Sequence, residues 1–140
     1  MGLNVELLEK SFALVAPKAQ ELADTFYSLL FADFPGVKPL FAKVTLPEQK
    51  KKLVASLVLV VTNLRKPDVL VPALEDLGLR HLEYGARAEH YPAVGATLLK
   101  SLAKVAGPVW NQELEKAWSD AYAEISRLML VGANSAVAAR

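Results

Sequence analysis

Apolar residues recur at intervals of three and four along almost the whole chain and hardly ever alternate with polar ones. This pattern predicts helices and no sheet. Leu7, Leu8, Phe12, Val15 and Ala16 form a first stripe, with Asn4 placed to cap it. Pro17 suits the first turn of a second helix, where its missing N–H costs nothing. That helix carries Leu22, Phe26, Leu29 and Leu30 on one face and runs to about Phe34, before Pro35-Gly36. A short turn follows at Val37–Phe41. Thr45-Leu46-Pro47-Glu48 has the form of a capping box with proline just inside, which predicts a helix start at Thr45. The helix continues to about Leu64 and ends before Pro67. From Asp68 to Tyr84 the pattern is less regular: Pro72 is expected in a first turn, Gly78 weakens the interior, and Gly85 suits a C-terminal stop. Pro92 restarts a helix that reaches Ala106, before Gly107-Pro108. Asn111 caps a last long helix expected to reach Val131 and stop at Gly132, leaving ANSAVAAR as a frayed tail. The expectation is one all-α domain over residues 1–140, its core at about 3–131, with six to seven helices including one short one.

Composition narrows the function classes. A hydrophobic share of 53% excludes a disordered chain. With 16 Lys and Arg against 15 Asp and Glu, the net charge is +1, and no cationic excess exists to drive counterion release from nucleic acid. The absence of cysteine removes disulfides, Cys-zinc sites and thiol nucleophiles, and fits a reducing cytoplasm. The start, MGLNVELLEK, lacks the basic and then apolar profile of a signal peptide, so a cytoplasmic location is expected. Leu53–Val61 (LVASLVLVV) is the most apolar stretch. It falls well short of the roughly 20 residues of a membrane span and predicts a buried helix with apolar matter on more than one side.

Candidate chemistry is sparse. The two histidines, His81 and His90, have Gly85 and Pro92 between or beside them and lack the i, i+4 spacing of two ligands on one helix. No acidic cluster accompanies them, so a zinc hydrolase fits poorly. Neither G-x-S-x-G, a P-loop nor G-x-G-x-x-G occurs. For either histidine the ordinary alternative is a surface or core residue making one hydrogen bond.

The order of several weak features along the chain carries more. These are Phe26-Tyr27 in TFYSLLF, Pro39-Leu40-Phe41, Gln49 with Leu53 four residues on, Arg80-His81, His90-Tyr91-Pro92-Ala93-Val94-Gly95, and Trp118 with Tyr122. In this the chain resembles the globins, in particular bacterial single-domain haemoglobins and the haem domain of flavohaemoglobins, over about residues 3–131. HYPAVG is the most specific of the motifs. The resemblance implies a globin fold sandwiching one non-covalent b-type haem, since no C-x-x-C-H is present. His81 corresponds to the proximal iron ligand, for which a neutral imidazole is the usual globin donor. Phe41 corresponds to the aromatic residue wedged against the porphyrin, and Leu53, Val94 and Leu98 to apolar pocket lining; all four equally suit ordinary core. Tyr27 and Gln49 correspond to the distal pair, whose O–H and N–H₂ groups donate hydrogen bonds to a bound gas. The alternatives are a half-exposed Tyr27 and a Gln49 solvated beside Lys50–Lys52, though the one-turn spacing to Leu53 favours the pocket. Lys52 and Arg80 correspond to partners of the haem propionates, or else form a solvated basic face.

The implied ligands are oxygen and nitric oxide, with no nucleic acid and no membrane insertion. In flavohaemoglobins oxygen and nitric oxide are converted to nitrate and a fused flavin domain re-reduces the iron. Here the globin accounts for the 140 residues, so turnover is expected to need a separate reductase. The family also sets a tyrosine and a glutamate beside the proximal histidine, which makes that ligand more electron-donating. Tyr91 retains the tyrosine, but the glutamate position falls on Ala133, and a slip of one residue gives Gly132 or Asn134. The expected function is therefore reversible oxygen binding. The rivals are a nitric oxide dioxygenase served by a partner reductase and a haem-free globin-like interaction or sensor module.

Overall fold

Leu8, Phe12 and Val15 bury one face of α1 (Val5–Val15), and the Asn4 side chain accepts the Leu7 N–H at 3.2 Å, the cap expected from the sequence. The computed structural model describes residues 3–83 and 85–138, with side chains through Asn134. Five further helices follow: α2 (Ala19–Asp33), α3 (Leu46–Thr62), α4 (Pro67–Glu83), α5 (Tyr91–Ala106) and α6 (Gln112–Ala138). Short 3₁₀ turns at Ala16–Lys18, Pro35–Phe41, Ala88–His90 and Gly107–Val109 join them, and no strand occurs among the described residues. The all-α expectation holds. Asn111 caps α6 by accepting the Leu114 N–H at 2.9 Å.

Three local expectations are corrected. α3 begins at Leu46, but the Thr45 side chain makes no cap bond; Pro47 in the first turn presets the backbone instead. α4 begins at Pro67, not near Pro72. Pro67 takes the tolerant first position, so Pro72 lies a turn inside and deprives the Asp68 carbonyl of its partner. The largest difference is at Gly132, where α6 does not stop but runs on to Ala138. A Cβ at Gly132 would overlap the Glu75 backbone of α4, and one at Gly78 would overlap the Met129 backbone of α6. The two glycines therefore form a reciprocal slot in which α4 and α6 touch backbone to backbone. Residues 132–138 of the expected tail are helical; Ala139, Arg140 and the expected boundary at Tyr84 lie outside the described residues.

The end of α4 is as expected. Gly85 has φ +97°, which an L side chain would strain. The Gly85 N–H bonds the Leu82 carbonyl at 3.0 Å and the Ala86 N–H bonds that of His81 at 2.9 Å, the paired bonds of a Schellman motif.

α4 lies along α6, α5 packs on α2 and on α6, and α3 packs on α2 and α1. α3 and α4 are not among each other's main packing partners. Buried Trp118 ties α6 to α1 by donating its indole N–H to Ser11 Oγ at 3.0 Å. Thr97 and Ser101 are fully buried in α5 and return their hydroxyls to the Ala93 and Thr97 carbonyls at 2.8 and 2.7 Å, which satisfies them without a partner from another helix. Within the apolar stretch of α3, Leu57, Val60 and Val61 are buried while Val58 is exposed. Among the described residues no helix is long and apolar enough to cross a membrane.

Candidate functional site

Leu70, Leu74, Leu77 and His81 follow one another at spacings of four, three and four on α4, which places them on one face. His81 is half-buried, and its Nδ1 lies 2.8 Å from the Leu77 carbonyl. A carbonyl can only accept, so Nδ1 carries the proton and, in the neutral ring, Nε2 carries the lone pair. Such a bond fixes both tautomer and ring orientation in metal-ligating histidines. The Schellman bond from Ala86 holds the backbone of the same residue. His90 has the opposite arrangement: its Nδ1 accepts the Arg87 N–H at 2.9 Å, a local cap on the Ala88–His90 turn. The two rings thus differ in tautomer: in the neutral state His81 carries its proton on Nδ1, whereas His90 uses Nδ1 as an acceptor.

Tyr27 is buried on α2 at 4% exposure. Its ring meets Phe26 and Phe41 edge-on, with centroids 4.9 and 5.7 Å away, and lies 6.0 Å from Phe31. Its hydroxyl donates a long, 3.4 Å bond to the main-chain carbonyl of Gln49, so the two expected distal residues are neighbours. Gln49, in the first turn of α3, is half-buried. Burial pushes the Tyr27 hydroxyl up to about 12, with the Gln49 side chain opposing. Tyr27 therefore remains a hydrogen-bond donor throughout the neutral range.

Burial also raises the Tyr122 hydroxyl to about 12, and the two tyrosines give the fold a pH dependence. The unfolded chain releases these protons near pH 10, whereas the folded chain holds them to about pH 12. Stability is then fully present below pH 10 and is lost as the pH rises towards 12, by roughly 2–3 kcal/mol per hydroxyl. Urea midpoints should fall between pH 9 and 11.5, and Tyr27→Phe should shrink that fall by about half.

Phe41, Leu53 and Val94 are only partly buried at the margin of the core, and Leu98 lies within it. α3 leans on α2 and α1 and α4 lies along α6, so the helices bearing Gln49 and His81 are held by different partners. An oriented imidazole, incompletely covered apolar side chains and an O–H donor beside Gln49 fit the haem implied by the sequence resemblance. Arg80 is exposed on α4 and paired with Asp76 at 3.1 Å; Lys52 is exposed on α3.

Tyr91 is buried at the start of α5, and burial alone raises its hydroxyl. Tyr122, quoted in the resemblance without a role, donates to the Tyr91 carbonyl at 2.7 Å, and its ring lies against Gly95. It fixes the backbone that carries Tyr91. Ala133 is buried on the continuing α6, where the resemblance expects a glutamate. Phe31 has no role in the sequence reading. It contacts both Tyr27 and Phe41, and its place four residues after Tyr27 is the signal that could have found it.

Comparison with known proteins bears on the family and the fold. A family model described as Globin matches residues 24–129. A flavohemoprotein of Bacillus cereus is 29% identical over 125 residues, 88% of this chain and 31% of that protein. The chain thus spans about a third of the length of such relatives. An uncharacterized globin-like protein of Aquifex aeolicus is 28% identical over 91% of this chain and 89% of its own length. Among solved structures, an engineered carbene transferase made from a candidate nitric oxide dioxygenase of Rhodothermus marinus superposes with a TM-score of 0.88 at 25% identity, covering 99% of this chain and 96% of that one. A bacterial globin from Campylobacter jejuni gives 0.81 at 24% identity over 95% and 96%. The chain belongs to the globin family.

Proposed function

We propose that the protein binds one b-type haem non-covalently through His81 and reversibly binds oxygen, and also nitric oxide, on the side of Tyr27 and Gln49, in the cytoplasm. The observation that carries this reading is the bond from His81 Nδ1 to the Leu77 carbonyl, which directs the lone pair to Nε2. When bound, the haem supplies an iron centre with a position for a diatomic gas. The chain supplies the surroundings: Phe41, Leu53, Val94 and Leu98 exclude water, Lys52 and Arg80 are offered to the propionates, and Tyr27 and Gln49 supply donors towards the gas. The test is titration of the purified protein with hemin. A Soret band saturating at one haem per chain is expected; its absence would overturn the reading in favour of a haem-free interaction or sensor module.

The distal role of Tyr27 has its own measure. A hydrogen bond to a charged or strongly polarised acceptor contributes roughly 1.5–3 kcal/mol, so Tyr27→Phe should speed oxygen dissociation by about ten- to a hundredfold. Stopped-flow or flash kinetics showing no change would remove Tyr27 from this role.

A second reading, a nitric oxide dioxygenase re-reduced by a separate reductase, draws support from the Rhodothermus marinus neighbour and the flavohemoprotein relatives. The buried Ala133 weighs against sustained turnover. A carboxylate there would make the His81 ligand more electron-donating through Tyr91, and a methyl group does not.

A further inference from the structure

The first turn of α3, which carries Gln49, starts without a side-chain cap at Thr45, so its own N-terminus does little to fasten it. Ion pairs tie the two ends of this helix to its neighbours. Just past its C-terminal end, Arg65 grips Glu9 of α1 through Nε and Nη2 at 2.9 to 3.3 Å. At its start, Lys50 reaches Asp24 of α2 at 2.9 Å, and the Lys50 side chain is only 25% exposed. Gln20, one turn earlier on α2, donates to the same Asp24 oxygen at 2.9 Å, which orients the carboxylate for the lysine. The Lys50 ammonium holds the Asp24 carboxyl below its usual range, so the pair stays ionised at neutral pH.

The place of this pair in the chain gives it a second consequence. Asp24 precedes Tyr27 by one helical turn, and Lys50 directly follows Gln49. The pair therefore joins the same two turns as the contact from the Tyr27 hydroxyl to the Gln49 carbonyl. That contact, at 3.4 Å, is longer than the about 2.5–3.0 Å of an ordinary O–H···O bond and is too weak to set two helices against each other. The phenol ring itself is held edge-on by Phe26 and Phe41. What remains adjustable is where α3 places Gln49 relative to that ring.

We propose that Asp24 and Lys50 are a positioning pair: their ion pair sets Gln49 against Tyr27, and through these two residues it sets how long oxygen is retained. The proposal rests on the haem reading above. A partly exposed ion pair adds little to overall stability, but the hold of two converging donors on one small ligand depends on small displacements between them. The mechanism is electrostatic, so salt must weaken it, which packing alone would not predict.

The experiment compares oxygen and carbon monoxide dissociation from the ferrous, haem-loaded protein, because bound carbon monoxide carries less charge on its outer atom and gains less from a donor. Asp24→Lys should speed oxygen loss by about two- to fivefold and leave carbon monoxide loss within about 1.5-fold. Lys50→Met, which removes the charge and keeps an apolar stem, should act in the same direction to a smaller extent. The exchanged pair Asp24→Lys/Lys50→Asp should recover wild-type oxygen kinetics. Raising the salt from about 0.05 to 1 M should move the wild type towards Asp24→Lys and leave Lys50→Met unmoved. Glu9→Lys breaks the ion pair beyond the other end of α3 with the same change of net charge, and it should leave the ratio of oxygen to carbon monoxide loss as in the wild type. In the purified chain before hemin is added, the carbon-13 resonance of Tyr27 Cζ, identified by its absence in Tyr27→Phe, should shift in Asp24→Lys and return in the exchanged pair. Oxygen kinetics unaltered in Asp24→Lys, no recovery in the exchanged pair, or an equal change in Glu9→Lys would overturn the proposal. A chain that takes up no haem would strike the haem reading instead, and the Tyr27 resonance would still decide whether the pair positions Gln49: a resonance unmoved by Asp24→Lys means that it does not.

Discussion

Replacing His81 with alanine should strip the protein of its haem, while replacing His90 should leave it largely loaded. Losing only the outer hydrogen-bond partner of a metal-ligating histidine costs about 10- to 100-fold in affinity, so losing the ligand itself should cost more than about 100-fold. The two residues differ in what their Nδ1 atoms do: that of His81 donates to Leu77, and that of His90 accepts from Arg87. Removing His90 deletes one capping bond of a three-residue turn, worth about 1 kcal/mol. The measurement is Soret absorbance after gel filtration of hemin-saturated variants, with circular dichroism to confirm that α4 persists. Equal haem loss at both positions would mean that the iron ligand is not His81.

Gly78→Ala and Gly132→Ala should each destabilise the fold, against the usual benefit of alanine in a helix. That benefit is about 1 kcal/mol. Against it stands a methyl group driven into the Met129 or the Glu75 backbone, which cannot rotate aside as a side chain can. Overpacking costs about 1–3 kcal/mol, and here the upper end or more applies. The net loss should be about 2 kcal/mol, a fall in Tm of roughly 5–10 °C. Valine at either position should do more damage. The double alanine variant should lose less than the sum of the singles, because once α4 and α6 have separated for one methyl the other also has room. Gly36 is the control: a methyl group added there meets nothing within 4 Å, so Gly36→Ala should shift the urea midpoint little.

The features legible in the sequence are those whose cause is local. Asn4 and Asn111 cap because a short oxygen-bearing side chain sits before each apolar run, and Gly85 ends α4 because only its neighbours decide the turn. The features that are not legible depend on another helix. Gly132 carries the same letter whether it ends a helix or seats one against its neighbour, and only the presence of Glu75 across the interface distinguishes the two. Pro72 reads as a first-turn proline only while Pro67, which holds that place, is read as the end of the preceding element. For the candidate site, the meeting of Tyr27 with Gln49 is suggested by family resemblance. The residues that steady it escape the sequence because their roles are contacts across the fold: Phe31 beside Tyr27 and Phe41, and Tyr122 under the Tyr91 carbonyl.

The backbone seat between α4 and α6 also makes the attachments of α4 and α3 mechanically unequal. The helix bearing His81 is keyed to the longest described helix, α6, through main-chain contact, while the helix bearing Gln49 and Leu53 rests on α1 and α2. Local opening follows the weaker attachment, so opening motions should fall on α3 while the His81 imidazole keeps its station. On the haem reading proposed above, the side bearing Gln49 yields to an incoming molecule while His81 keeps its orientation, and a haem that slips away meets on its return a histidine still held to receive it.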